Sequence, residues 1–220
     1  RDLDEAVIEA DRCIQCGSCA AACPSDSIGI DDIDGKPTLV KMCTGCSRCW
    51  DFCPRSGLRY ERVLEEQSKR REGGTSAYAV RADDDAIHAA GQDGGAVTAL
   101  LGALVEAGEI DGAVVATERE DEPLRGTATL ATTSEELLED AGSVFNQTMQ
   151  LDEIDRLVSE SDLDDPDLAL VGTPCVIQGA TALQSFGREG ERADVALTVA
   201  LFCTRSFEHD RLTSLLVEHG

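Results

Sequence analysis

Eight of the ten cysteines in this 220-residue chain fall in its first quarter, in two runs of identical spacing. The runs read Cys13-x2-Cys16-x2-Cys19-x3-Cys23-Pro24 and Cys43-x2-Cys46-x2-Cys49-x3-Cys53-Pro54. Three thiolates at intervals of three wrap one face of a cubane iron–sulfur cluster as the loop turns around it. The fourth, just before a proline that ends the loop, points away and ligates the other cluster. The spacing therefore predicts one 4Fe-4S cluster on Cys13, Cys16, Cys19 and Cys53, and a second on Cys43, Cys46, Cys49 and Cys23. Gly17, Ser18, Ala20, Ala21 and Ala22 in the first run, with Gly45 and Ser47 in the second, are small enough to let backbone N–H groups approach the sulfurs. Zinc knuckles use paired C-x2-C motifs across a longer loop and have little use for a third cysteine three residues on. Disulfides fit poorly with a chain read as cytosolic.

The elements that must hold these loops are short. Ser27–Ile30 and Thr38–Val40 flank Asp32-Ile33-Asp34-Gly35, which reads as a hairpin with an Asp-Gly turn. Trp50, inside the second run, is positioned to shield a cluster from water. From about residue 3 to 62 the chain resembles a bacterial-type two-cluster ferredoxin, which alone would be an electron carrier. The expected organisation is a ferredoxin domain over 1–64, a charged and then glycine-rich linker over 65–76, and a second domain over 77–220.

In the second domain, apolar runs at Ala113–Ala116, Leu168–Val171 and Val195–Phe202 alternate with helical patterns at Ala96–Ala107, Ser134–Asp140, Asp152–Ser159 and Phe207–Glu218. This predicts an α/β fold around a largely buried sheet, with Ser134 as a helix N-cap. Two features there bear on chemistry. Gly91-Gln92-Asp93-Gly94-Gly95 runs straight into the helix at Ala96. Such a loop either cradles a phosphate or flavin pyrophosphate at the positive end of the helix, or simply makes a tight turn. Val171-Gly172-Thr173-Pro174-Cys175 and Leu201-Phe202-Cys203 follow two apolar strands. Cysteines at equivalent strand ends supply half of a metal site, or else pack as small hydrophobes. His88, His209 and His219 have no second ligand-type neighbour in pattern, and Arg205, at a helix start, reads as solvated.

Taken in order, Gln92 to Leu101, Gly112 to Val115, Gly172 to Cys175 and Leu201 to Cys203 resemble the beta subunits of the coenzyme F420-reducing hydrogenase and F420 dehydrogenase family, from about residue 77 onward. With a two-cluster ferredoxin in front, the arrangement is similar to the input subunits that oxidise reduced F420 for respiratory complexes. The resemblance implies an α+β ferredoxin-like domain followed by an incomplete α/β FAD-binding domain. It also implies an oxidoreductase that takes a hydride from reduced F420 onto FAD and passes single electrons to clusters and a partner redox protein or complex subunit. By matching position, Gln92, Asp93, Gly94, Gly95 and Thr98 lie at the FAD, while Cys175 and Cys203 are the first two ligands of a further 4Fe-4S cluster. No catalytic side chain is assigned. Many members carry Gly-Ser-Lys-Tyr where this chain has Gly142-Ser143-Val144-Phe145, without the lysine. The family takes the remaining ligands of the further cluster from a cysteine pair downstream of Gly220. The chain is therefore expected to be truncated there, and the start at Arg1 suggests a missing N-terminal piece as well. The competing readings are an electron carrier whose second half only docks a partner, and a ferredoxin-dependent reductase of another organic substrate built on the same FAD and cluster module.

Composition narrows the classes. With 43 acidic residues against 19 basic and a net charge of −24, the chain lacks the cationic face that nucleic acid requires. No apolar run approaches the roughly 20 residues that span a bilayer, so the chain reads as cytoplasmic, with a place peripheral to a membrane complex implied by the respiratory likeness. Only three basic residues are lysines, Lys36, Lys41 and Lys69, and acid is spread along the whole length. That pattern suits a protein working in concentrated salt, as in a halophilic archaeon, where screening removes self-repulsion; the other reading is steering towards basic partners.

Overall fold

Uninterrupted apolar residues, as in Ala113-Val114-Val115 and Leu168-Ala169-Leu170-Val171, can bury both faces of a strand, and these runs form the centre of a four-stranded sheet. The computed structural model describes residues 2–31, 35–56, 65, 68–69, 76–146, 148–186, 194–204, 207 and 209–219. The strands are β3 (Gly112–Glu118), β4 (Gly126–Ala131), β5 (Asp167–Gly172) and β6 (Asp194–Ala200), in the order β4-β3-β5-β6. The β3, β5 and β6 strands are parallel, and β4 is an antiparallel edge paired with β3 from Ala113↔Ala131 to Glu118↔Gly126. The sheet is thus mixed. β4 escaped the sequence reading because its Gly-Thr-Ala-Thr-Leu-Ala composition carries little hydrophobic signal.

Helices cover both faces. Val114, Leu168 and Leu170 pack with Leu151 and Ile154 of one helix (Gln150–Glu160) and with Val176, Ile177 and Ala180 of another (Pro174–Phe186). Ala113, Val115, Ala169 and Val171 point the other way, onto Leu101 of the helix Ala96–Glu106 and Leu137 of the helix Ser134–Glu139. In chain order the helices are α1 (Ser18–Ala21), α2 (Arg48–Asp51), α3 (Asp85–Ala90), α4 (Ala96–Glu106), α5 (Ser134–Glu139), α6 (Gln150–Glu160), α7 (Pro174–Phe186) and α8 (His209–His219). The helical pattern assigned to 152–159 begins two residues earlier, and α3 and α7 were not anticipated. The apolar run 195–202 ends as a strand at Ala200. The α5 cap is Thr133 and not Ser134, which is the first helical residue. Thr133 has an extended backbone, so its hydroxyl accepts from Glu136 N while the Glu136 carboxylate accepts from the Thr133 N–H, closing a capping box.

The cysteine-bearing segment is built from a π-helical turn (Asp4–Ile8), α1, α2 and a hairpin of β1 (Ile28–Ile30) and β2 (Pro37–Leu39), paired Ile28↔Leu39 to Ile30↔Pro37. The Asp32–Asp34 part of the hairpin turn, most of the expected linker and Arg205 lie outside the described residues. The segment sits on the α6 and α7 face through a seam of small residues. Ala21 of α1 joins the Leu151 and Val176 cluster, and Ala22 and Phe52 pack with Ala182. At Gly17, φ is +82° and a Cβ would come within 2.9 Å of Asp152 N, so glycine is required both by backbone conformation and by approach. Gly179 of α7 leaves room for Ser18, which is fully buried.

Leu170 is fully buried on a central strand between α6 and α7. Leu170→Ala should destabilise the chain by about 2–5 kcal/mol, read as a lower midpoint of denaturant unfolding. A midpoint unchanged from wild type would show that this core is not formed.

Candidate metal centre

The two cysteine runs fold into two sets that differ sharply in exposure. Cys13, Cys16, Cys19 and Cys53 line one pocket together with Leu3, Val7 and Met149. Cys16, Cys19 and Cys53 are buried there, whereas Cys43 and Cys46 are exposed. Burial raises Cys19 most, and Cys16, Cys53 and Cys13 raise it further; burial likewise raises Cys49 most, and Cys43, Cys46 and Cys23 add to it. The fold therefore brings together the crossed sets expected from the spacing, with Cys53 beside the first run and Cys23 beside the second.

Burial pushes the Cys16 thiol up to about 12 and lifts Cys19, Cys49 and Cys53 above the ordinary thiol range. Such thiols hold their protons unless a cationic centre replaces them. At Cys23 burial also raises the thiol, but backbone N–H donors at Ser25, Ser27 and Ile28 and the Ser25 hydroxyl outweigh it and leave the thiol lowered. The donor distances are 3.2 Å for Ser27 N to Cys23 Sγ, 3.3 Å for Gly45 N to Cys43 Sγ and 3.4 Å for Arg55 N to Cys53 Sγ. Among the described residues, no three His, Cys, Asp or Glu side chains gather closely enough to hold a single metal ion. A cubane has four separate iron corners, so its ligands stand wider apart than those of one ion. A ring of sulfurs around an apolar cavity with N–H donors fits that geometry. Trp50 is half-buried and packs against the Leu3, Val7, Cys19 and Cys53 cluster.

The second-domain candidates lie at the start of α4 and just past β5 and β6. Only 107–111 separates α4 from β3, so α4 runs antiparallel to β3 and its N-terminus returns towards the carboxyl end of β3. There Gly94 and Gly95 have φ of +91° and +67°, and α4 has no side-chain cap, leaving its first N–H groups without an intrahelical partner. The same turn explains its own glycines: a Cβ on Gly95 would collide with the Ile87 carbonyl of α3, and one on Gly91 with Gly95 itself. Gln92 and Asp93 are exposed and Thr98 is half-buried in the first turn of α4. Cys175 lies in the first turn of α7, with its sulfur 3.0 Å from Thr173 Oγ1. Cys203 is exposed just past β6, and Leu201 N donates to Gly172 O at 2.9 Å, so the two cysteines follow neighbouring strand ends. Cys175 also interacts electrostatically with Cys16. No spacing pattern singled out Met149 or Gln150. Met149 lines the first cysteine cavity, and Gln150 Nε2 donates to Val171 O at 2.6 Å, tying α6 to the end of β5. His209 is satisfied by Pro123 O, with Glu122 and Asp210 beside it, while His88 and His219 are exposed. In the segment that departs from Gly-Ser-Lys-Tyr, Phe145 is exposed and Asn146 Oδ1 accepts from Gly126 N at 2.6 Å.

Residues 77–154 match the model for the N-terminal part of the coenzyme F420 hydrogenase/dehydrogenase beta subunit, and 165–220 match that for its C-terminal part. Residues 6–58 match a 4Fe-4S dicluster domain. The chain belongs to this family of F420 hydrogenase/dehydrogenase beta subunits. It is 30% identical over 230 residues to a coenzyme F420-dependent sulfite reductase of Methanocaldococcus jannaschii, covering 97% of the chain and 34% of that protein. It is 27% identical over 223 residues to an F(420)H(2) dehydrogenase component of Methanosarcina mazei, covering 96% of the chain and 58% of the relative. The chain thus spans between a third and three-fifths of the length of these two relatives. A chain of the F420-reducing [NiFe] hydrogenase complex from Methanosarcina barkeri superposes with a TM-score of 0.57 at 30% identity, over 63% of this chain and 47% of that one. This family member therefore joins a ferredoxin-like 4Fe-4S domain to an α/β domain with a mixed sheet.

The crossed sets make a sharp prediction. Cys13→Ala and Cys53→Ala should abolish the same cluster signal in electron paramagnetic resonance, and Cys23→Ala and Cys43→Ala the other. Loss of one common signal in Cys13→Ala and Cys23→Ala, with the other intact, would contradict the pairing.

Proposed function

We propose that this chain is the flavin and iron–sulfur module of an F420-dependent oxidoreductase, exchanging a hydride with F420 through FAD and single electrons with two 4Fe-4S clusters and a partner redox protein. The observation that carries the reading is the seam at Gly17, Ser18 and Gly179, which docks the first cysteine set onto the α7 side of the sheet with Cys16 within electrostatic reach of Cys175. Electrons arriving at the carboxyl edge of the sheet then have a short route into the buried set. FAD supplies the conversion between a two-electron hydride and one-electron clusters. Gln92, Asp93, Gly94, Gly95 and Thr98 would hold it, with the uncapped N–H groups of α4 facing its phosphates. Cys175 and Cys203 would contribute two ligands to a third cluster. The names of the similar proteins, an F420H2 dehydrogenase component and an F420-dependent sulfite reductase, support F420 as the hydride partner.

A second reading, a carrier without flavin, is favoured by one feature: the Ile87 carbonyl accounts for the glycine at 95 with no ligand present. The two separate in one experiment. Native protein purified anaerobically should release FAD on denaturation, and reduced F420 should bleach the bound flavin in a stopped-flow single turnover faster than reduced nicotinamides do. Absence of flavin would establish the carrier reading, and preference for a nicotinamide would overturn F420 as the hydride partner.

A further inference from the structure

The chain carries 43 acidic residues, yet the sixteen positions from Gly35 to Trp50 contain none, and they include three cations, Lys36, Lys41 and Arg48. Within this stretch Thr38 to Ser47 are all exposed, among them the apolar Leu39 at 60%, Val40 at 58% and Met42 at 92%, together with Cys43 and Cys46. In a chain so acidic, an exposed run that excludes carboxylates and presents three large apolar side chains is not a solvation surface. Its backbone is held in place. Val40 N donates to Ser27 O at 3.0 Å, and the hydroxyl of buried Ser27 donates to Met42 O at 3.0 Å. Two of its lysines stand beside carboxylates: Asp26 lies 3.9 Å from Lys41 and Asp11 lies 3.7 Å from Lys36.

We propose that Leu39, Val40, Lys41 and Met42 form the docking face for a one-electron carrier protein whose own contact surface is apolar and edged with carboxylates. This rests on the reading that the second cysteine set holds a cluster. The reason to place the partner here is the contrast between the sets. The first is walled in by Leu3, Val7, Trp50 and the sheet helices, so an outside protein cannot approach it closely. The second has Cys43 and Cys46 exposed, directly after the exposed Leu39, Val40 and Met42 in the chain. Electron transfer falls steeply with distance, and the exposed set is where a partner can come near. An apolar centre supplies affinity, and the absence of acidic residues from Gly35 to Trp50 lessens the repulsion that the remaining surface would exert on an acidic carrier. In the step itself one electron leaves the reduced cluster and one is taken up by the oxidised carrier, with no atom or proton transferred.

The probe is an acidic bacterial-type two-cluster ferredoxin. Binding of the two oxidised proteins, measured by calorimetry, should weaken at least tenfold in Leu39→Asp/Met42→Asp, and the second-order rate from dithionite-reduced chain to oxidised ferredoxin should fall by a similar factor. Oxidation by ferricyanide should remain within twofold of wild type, showing that the cluster is intact. Lys41→Glu alone should lower the ferredoxin rate and raise the rate with cationic cytochrome c. Unchanged ferredoxin affinity in both variants would overturn the proposal. So would a wild-type dimer that Leu39→Asp/Met42→Asp dissociates without affecting ferredoxin binding, since the patch would then be covered by a second copy. If cluster signals were missing from the wild type itself, the reading beneath the proposal would fail instead.

Discussion

The close approach of α1 to α6 and α7 is the constraint on which the remaining architecture depends. Gly17 meets the backbone of Asp152 and Met149, Ser18 is sealed against Gly179, and Ala21 enters the core that also holds Leu168 and Leu170. At Gly17 and Gly179 an added Cβ would collide with these neighbours. Cys19 sits on α1, so a segment too small for a substantial core of its own borrows the sheet's through that helix. Ser18, a buried hydroxyl, is satisfied at 3.2 Å from Cys16 Sγ, which joins the packing of the seam to the lining of the first cysteine cavity.

This arrangement gives the two cysteine sets different environments despite identical cysteine spacing. The first faces the protein interior and the second faces outward, with Trp50 packed beside Leu3, Val7, Cys19 and Cys53, and Phe52 beside Ala182 of α7. Tandem spacing alone makes the sets look equivalent, and the difference arises from what packs outside each loop. Polarity along the molecule follows: an interior end beside Cys175 and an exterior end at Cys43 and Cys46.

Much of the site was legible because its signals are local. Thiol spacing and the terminal Cys-Pro encode ligation within a loop, and the crossed sets follow from that geometry. The central strands were legible from runs such as Leu168–Val171, whose burial on both faces leaves no polar residue. What sequence did not disclose depends on contacts between distant segments. β4 is held by pairing with β3 and not by its own composition, and Met149 reaches the first cavity only because α6 lies against α1. The Gly91–Gly95 loop is the instructive ambiguity. Its glycines read equally as a cradle or a turn, and the Ile87 carbonyl shows that the turn requires them whether or not a ligand is bound. The capping residue of α5 shifted by one because Thr133 and Ser134 are both competent caps, and only the extended backbone at 133 lets a hydroxyl reach Glu136 N.

The order implied by the seam, from the carboxyl edge through the buried set to the exposed set, is tested most directly by removing the middle step. In Cys19→Ala, which lacks a ligand of the buried set, the exposed cluster should still be reduced by dithionite, but its reduction by F420H2 should slow by at least a hundredfold in freeze-quench electron paramagnetic resonance. Reduction of that cluster by F420H2 at the wild-type rate would contradict the order.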